Sequence, residues 1–297
     1  MKTTNGGVQL AAVRYRRHGG SQRAGAATSA AATGGAPTPA ATGGGFPFSV
    51  PAIATMEPLE LSAPVTVLVG ENGTGKSTFL EALAIACKLP AVGSARLASD
   101  PTLAGPRRLA ESLHLTWRGR THRGFFLRAE DFFGFQKQLA RQRAEHEAEV
   151  GRIDLELSDS SEYARTLAKG PHRASIGDMQ RRYGHDPDAA SHGEAFLNLF
   201  AQRLVPAGLY LLDEPEAALS PQSQLGLLAM VRDALGAGSQ FVIATHSPIL
   251  MAIPDAVILS FDDPPVRRVS YESLESVALV RAFLQAPERY LRMIWEE

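Results

Sequence analysis

The chain has 297 residues, 44% hydrophobic and 21% charged, an ordinary globular composition that excludes wholesale disorder, a collagen-like fibre and a coiled coil. Thirty basic residues against 31 acidic ones give a formal net charge of -1, so any nucleic-acid contact is confined to a local patch. A single cysteine, Cys87, excludes an intramolecular disulfide framework and fits a reducing, cytoplasmic compartment. No apolar run approaches the length of a membrane span and the amino terminus lacks a secretory core, so neither insertion nor export is expected.

Taken in chain order, residues 1–17 contain one short strand candidate, Val8 to Tyr15. Residues 18–45 follow, of which 25 of 28 are Ala, Gly, Thr, Ser or Pro and none is Val, Ile, Leu, Met or Phe; such a segment cannot bury enough apolar surface to offset its ordering entropy and is expected to be a disordered loop. The first 56 residues carry Lys2, Arg14, Arg16, Arg17 and Arg23 but no acid, a pattern that also imitates a transit peptide or a nucleic-acid tether. From residue 46 to 297 the pattern is that of one α/β domain. Val65 to Val69, Leu209 to Leu212, Phe241 to Ala244 and Ala256 to Leu259 read as strands buried on both faces. Helical patterning follows the first at Ser77 to Cys87 and the second at Gln222 to Leu235. Residues 90 to 190 are richer in charge, with strand-like Leu113 to Trp117 and Phe125 to Leu127 and a helical stretch from Phe132 to about Val150, and read as an inserted helical and β subdomain.

Three strand ends carry the chemistry. Gly70-Glu71-Asn72-Gly73-Thr74-Gly75-Lys76-Ser77, followed by Thr78, fits GxxxxGK[ST] between a strand and a helix. Glycines let backbone N–H groups curl around phosphates, the helix start adds its positive dipole end, Lys76 reaches the outer phosphates of ATP, and the Ser77 hydroxyl ligates Mg2+. Leu209 to Pro215 delivers two adjacent carboxylates at a strand end: Asp213 to place the metal and Glu214 to orient and deprotonate a water. Phe241 to Pro248 puts His246 beyond a third strand, at the edge that holds Lys76 and Glu214. Ser191-His192-Gly193-Glu194 starts an amphipathic helix and reads either as a capping box or as an anion site at a helix start.

The order of these motifs resembles the ATP-binding-cassette (ABC) type ATPases: a Walker A loop GENGTGKST, a signature-like SHGE, a Walker B strand LLDEP, then AALSP and a switch histidine in ATHSP. It looks most like the small stand-alone soluble AAA-family and ABC-like ATPases related to the chromosome-maintenance and recombination-repair branch. The resemblance implies a P-loop NTPase fold with a mostly parallel sheet flanked by helices, and a head-to-tail homodimer sandwiching ATP. Ser191 and Gly193 would then act on the partner's nucleotide, with Ala217 to Pro221 at the dimer contact. Its signature departs from LSGGQ, which disfavours a transporter subunit working with a membrane permease. The family's glutamine loop has no clear counterpart; Arg128, Glu130 and Gln136 are the candidates, and Phe46 and Phe48 are those for adenine stacking. DNA or a soluble protein is the implied partner, and the alternatives are a transporter's nucleotide-binding subunit or an ATP-gated switch with little turnover.

Overall fold

The computed structural model describes residues 7–15, 45–92, 103–183 and 192–295. A small antiparallel sheet places β1 (Leu10–Tyr15) between β2 (Leu59–Glu60) and β5 (Leu113–Trp117). The main sheet runs, across its width, β10 (Arg267–Val269), β9 (Val257–Ser260), β3 (Val65–Val69), β8 (Gln240–Ala244), β7 (Leu209–Asp213), β6 (Gly124–Arg128) and β4 (Ala91–Val92). Its strands are parallel except β10, which pairs antiparallel with β9. Every residue of β3, β7 and β8 is buried, as the unbroken apolar runs require of strands covered on both faces.

Because strand side chains alternate between faces, the sheet feeds two cores. Leu68, Leu211, Val242 and Leu259 pack with Phe79, Leu80 and Leu83 of α2 (Lys76–Cys87) and with Leu10 and Val13 of β1. Val65, Val67, Tyr210, Leu212, Phe241 and Ile243 pack with Phe196 and Phe200 of α6 (His192–Arg203) and with Leu227 and Val231 of α7 (Pro221–Gly236). Each such side chain contributes about 1.5–3 kcal/mol relative to exposure, so these layers hold the strand ends, and hence the loops on them, in fixed register.

One buried polar side chain joins the two sheets. Gln240 at the start of β8 accepts from Gln9 N (3.0 Å) and Leu10 N (2.8 Å) through Oε1, and its Nε2 donates to Leu10 O (2.9 Å) and Leu61 O (2.8 Å). Gln240→Leu keeps the volume but strips four buried backbone groups of their partner. At about 1–3 kcal/mol for each group left unsatisfied, the expected loss is at least about 3 kcal/mol. Thermal unfolding should therefore start at least about 6 °C lower; an unchanged melting temperature would show that water or repacking replaces the amide.

The stretch 90 to 190, expected as one inserted subdomain, is divided. β4 and β6 belong to the main sheet and β5 to the small one, because β6 inserts beside β7 with Gly124 opposite Leu209 and Arg128 opposite Asp213. Between β4 and β5 lies α3 (Ala104–Ser112). What stands apart is a helical hairpin, α4 (Ala129–Glu156) and α5 (Glu162–Tyr183). Helix α5 passes through Gly170-Pro171, a pair that reads as a helix break in isolation. Of the expected loop 18–45, all but Gly45 falls outside the described residues.

Candidate functional site

The phosphate loop leaves β3 at Val69 and enters α2 at Lys76. Gly75, the residue before the helix, has φ +101°, and a Cβ there would lie 2.9 Å from Val50 Cγ1, so both backbone conformation and packing demand glycine. The loop is braced from within by Thr74 Oγ1 donating to Glu71 O (2.8 Å) and from β9 by Asp262, whose Oδ1 accepts from Glu71 N (2.6 Å). Lys76 is buried, and its Nζ donates to Gly70 O (2.7 Å) and Glu71 O (2.8 Å). Burial lowers its pKa, against the charges of Glu214, Asp262, Asp213 and Glu71, which raise it. Lys76 thus folds back onto its own loop, a cation already positioned above the helix start.

Asp213 ends β7 and is buried. Its Oδ1 accepts from Ser77 Oγ at 3.0 Å. Burial pushes its carboxyl up to about 6, with Arg128 and the Ser77 hydrogen bond pulling down and the neighbouring Glu214 charge pushing up. A hydroxyl and a carboxylate oxygen held together suit Mg2+, a hard ion that keeps most of its waters and takes few protein ligands. The donor set therefore fits the metal.

Glu214 turns out of the sheet with φ +47°, held by its N–H donating to Ala244 O (2.9 Å) on β8. His246 lies two residues past β8, its backbone N–H donating to Glu216 Oε1 (2.6 Å). Its Nε2 sits 3.6 Å from Glu214 Oε1, beyond hydrogen-bond reach, and is buried without a partner. Such an orphan atom beside a carboxylate leaves one hydrogen-bonding capacity of the imidazole unused. Lys76, Ser77, Asp213, Glu214 and His246 therefore gather at the carboxyl ends of adjacent parallel strands, where α/β sheets bind ligands.

The sequence does not single out Glu81, Glu216 or Asp262, and it offers Arg128 only as one of three candidates. Arg128, at the end of β6 opposite Asp213, places Nε 3.7 Å from Asp213 Oδ2 and pairs with Glu81 of α2. Of the three glutamine-loop candidates, Arg128 is the one beside Asp213; Glu130 is exposed on α4 and Gln136 lies two turns along it. Glu81 carried no local signal, since an acid within an apolar helix acquires meaning only from the strand end it faces. Glu216 and Asp262 also act through long-range contacts, although Glu216 falls within the carboxylate-rich DEPE. Ser247 Oγ donates to Gln224 Oε1 (2.6 Å), tying the histidine loop to α7.

The signature-like segment is only partly visible, because Ser191 lies outside the described residues. Gly193 is buried in the first turn of α6, where a Cβ would meet Ser223 Oγ of α7 at 2.9 Å. Close packing of α6 on α7 is thus a sufficient reason for this glycine. Phe48 stacks on Tyr15 with ring centroids 6.1 Å apart, committed to packing. Phe46 is half exposed, and its carbonyl accepts from the Arg108 guanidinium.

Two family models match around this site: "AAA domain" over residues 54–124, which contain the phosphate loop, and "AAA domain, putative AbiEii toxin, Type IV TA system" over 195–252, which contain Asp213, Glu214 and His246. In these segments the chain is similar to ABC-like P-loop ATPase domains. Among curated relatives, the Macrolide export ATP-binding/permease protein MacB of Hahella chejuensis is 26% identical over 212 residues, 69% of this chain and 30% of that protein. MacB of Salmonella typhi is 26% identical over 271 residues, 84% of this chain and 38% of that protein. The Cobalt import ATP-binding protein CbiO of Salmonella typhimurium is 26% identical over 235 residues, 75% of this chain and 79% of that protein. The chain therefore spans about a third of the length of the first of these relatives. Among solved structures, the Smc head domain of Pyrococcus furiosus aligns at 14% identity with TM-score 0.37, covering 73% of this chain and 92% of that one. For cbiO1 of Clostridium perfringens the values are 17% and 0.38, covering 80% and 92%. Among the described residues, no helix of the chain is long and apolar enough to cross a membrane.

Proposed function

We propose that this chain is a soluble, cytoplasmic, Mg2+-dependent ATP hydrolase that dimerises around ATP and drives a conformational change in a soluble protein or DNA partner. The observation that carries this reading is the convergence of Lys76, Ser77, Asp213, Glu214 and His246 at one sheet edge, from three segments of the chain. The backbone N–H groups of residues 70–78 and the Lys76 ammonium bind the phosphates, and Ser77 and Asp213 hold Mg2+. When bound, the metal neutralises phosphate charge and draws electron density from the bond that breaks. Glu214 orients a water and accepts its proton; His246, tied to Glu216 through its backbone, presents Nε2 to the terminal phosphate or to that water. In the same reading residues 46–297 form the ATPase domain, 1–17 supply its initial strand, and Ser191 and Gly193 of one protomer face the nucleotide of the other.

A second reading has one specific support: MacB and CbiO are, by name, an export ATP-binding/permease protein and an import ATP-binding protein. On that reading the chain serves a membrane permease. The test is phosphate release from Mg-ATP by the purified chain, with light scattering of the same sample and recovery of bound material from cells. Turnover together with an ATP-driven rise from 31.8 kDa to twice that mass is expected, and DNA or a soluble protein should be recovered. Recovery of a permease would favour the second reading, and absence of turnover under all conditions would overturn hydrolysis.

A further inference from the structure

The hairpin of α4 and α5 is poorly supplied with apolar contacts. Beyond Leu139, the one side chain in it that is buried among the described residues is Lys169, whose Nζ donates to Asp154 Oδ1 at 2.5 Å. Arg143, His146, Val150 and Ile153 of α4 are partly buried and recur every three or four residues, the spacing of a stripe facing a second helix. Two histidines from opposite helices meet within this contact. His146 Nδ1 lies 3.0 Å from His172 Nδ1, with ring centroids 5.3 Å apart and the planes at 58°.

We propose that His146 and His172 form a two-histidine chelate for a divalent transition-metal ion that prefers imidazole, with water completing its coordination. This site is independent of the ATPase reading. Two nitrogens each about 2.0–2.1 Å from one ion lie about 2.9 Å apart at a right angle and about 3.3 Å apart at the tetrahedral angle. The observed 3.0 Å falls between these limits, so the two nitrogens already have a chelating separation, and rotation of the rings to turn both lone pairs toward an ion beside the N···N line completes the site. Imidazole selects Zn2+, Ni2+ and Cu2+ over Mg2+, which keeps this site chemically distinct from the metal position at Ser77 and Asp213. Two of the cations on these helices are paired, Arg143 with Glu147 and Lys169 with Asp154. Glu149, one turn from His146, is held by Arg152 at 2.6 Å, which leaves water to fill the remaining positions. A bound ion would cross-link two long helices where apolar packing is thin.

The experiment uses the full chain, freed of metal by a chelator, with ZnCl2, NiCl2 and CuCl2 titrated separately by calorimetry. One ion per chain is expected for at least one of the three. At about a hundredfold excess over its Kd, that ion should raise the melting temperature by a few degrees. His146→Gln and His172→Gln should each lower the affinity at least tenfold, while nucleotide binding stays unchanged as a check on folding. Electron paramagnetic resonance of the Cu2+ form should show two coordinated nitrogens, reduced to one by either substitution, a readout that a change in helix stability alone does not mimic. Absence of binding up to millimolar metal, or equal binding by the double variant, would overturn the proposal and leave the pair a hydrogen bond between helices.

Discussion

Glu214→Gln is expected to bind Mg-ATP as tightly as the parent chain and to lose turnover by a factor of about 10²–10⁴, the usual contribution of a positioned general base. The amide is the same size and can hold a water, but it cannot accept the water's proton. The surroundings favour this separation of binding from chemistry. Glu214 is held at φ +47° by its own N–H on Ala244 O, so the turn does not depend on the carboxylate, and His246 Nε2 at 3.6 Å makes no hydrogen bond that the substitution would break. Single-turnover phosphate release, with nucleotide affinity measured on the same preparation, distinguishes the outcomes. Because ATP is then retained, the dimer population should rise in light scattering. A variant that hydrolyses at the parent rate would remove Glu214 from the role of base.

Lys76→Ala should act on binding itself. Two carbonyls, Gly70 O and Glu71 O, lose their charged donor, and the phosphates lose the one cation at the helix start. A hydrogen bond to a charged group is worth about 1.5–3 kcal/mol, so loss of the contacts to the phosphates should weaken ATP by at least about 10–100-fold. Stability moves the other way or hardly at all. Burial lowers the Lys76 pKa, meaning that the charged form carries a desolvation cost that alanine does not, which offsets the loss of its two hydrogen bonds to the loop carbonyls. Nucleotide titration by calorimetry and a melting curve on the same sample check both halves. Unchanged affinity would place the phosphates elsewhere.

What the sequence determined by itself was the set of short-range patterns whose meaning is local. GxxxxGK[ST] between an apolar strand and helix, the unbroken Val65 to Val69 run and the strand ending in Asp213-Glu214 each specify backbone conformation and chemistry within about ten residues, and the observed strands begin and end within a residue or two of those readings. The structure alone decided which of the remaining polar residues matter, because their partners are remote in the chain. Gln240 acquires its role from Gln9 and Leu61, 231 and 179 residues away. Arg128 becomes a neighbour of Asp213 only because β6 pairs in register with β7. The division of residues 90 to 190 has the same cause: a five-residue strand carries no label saying which sheet it joins, and pairing is set by the faces and edges other segments leave open. His146 and His172, 26 residues apart, meet because α5 continues through Gly170-Pro171 and lies back along α4. Local propensity argues against that continuation, and contact between the two helices favours it.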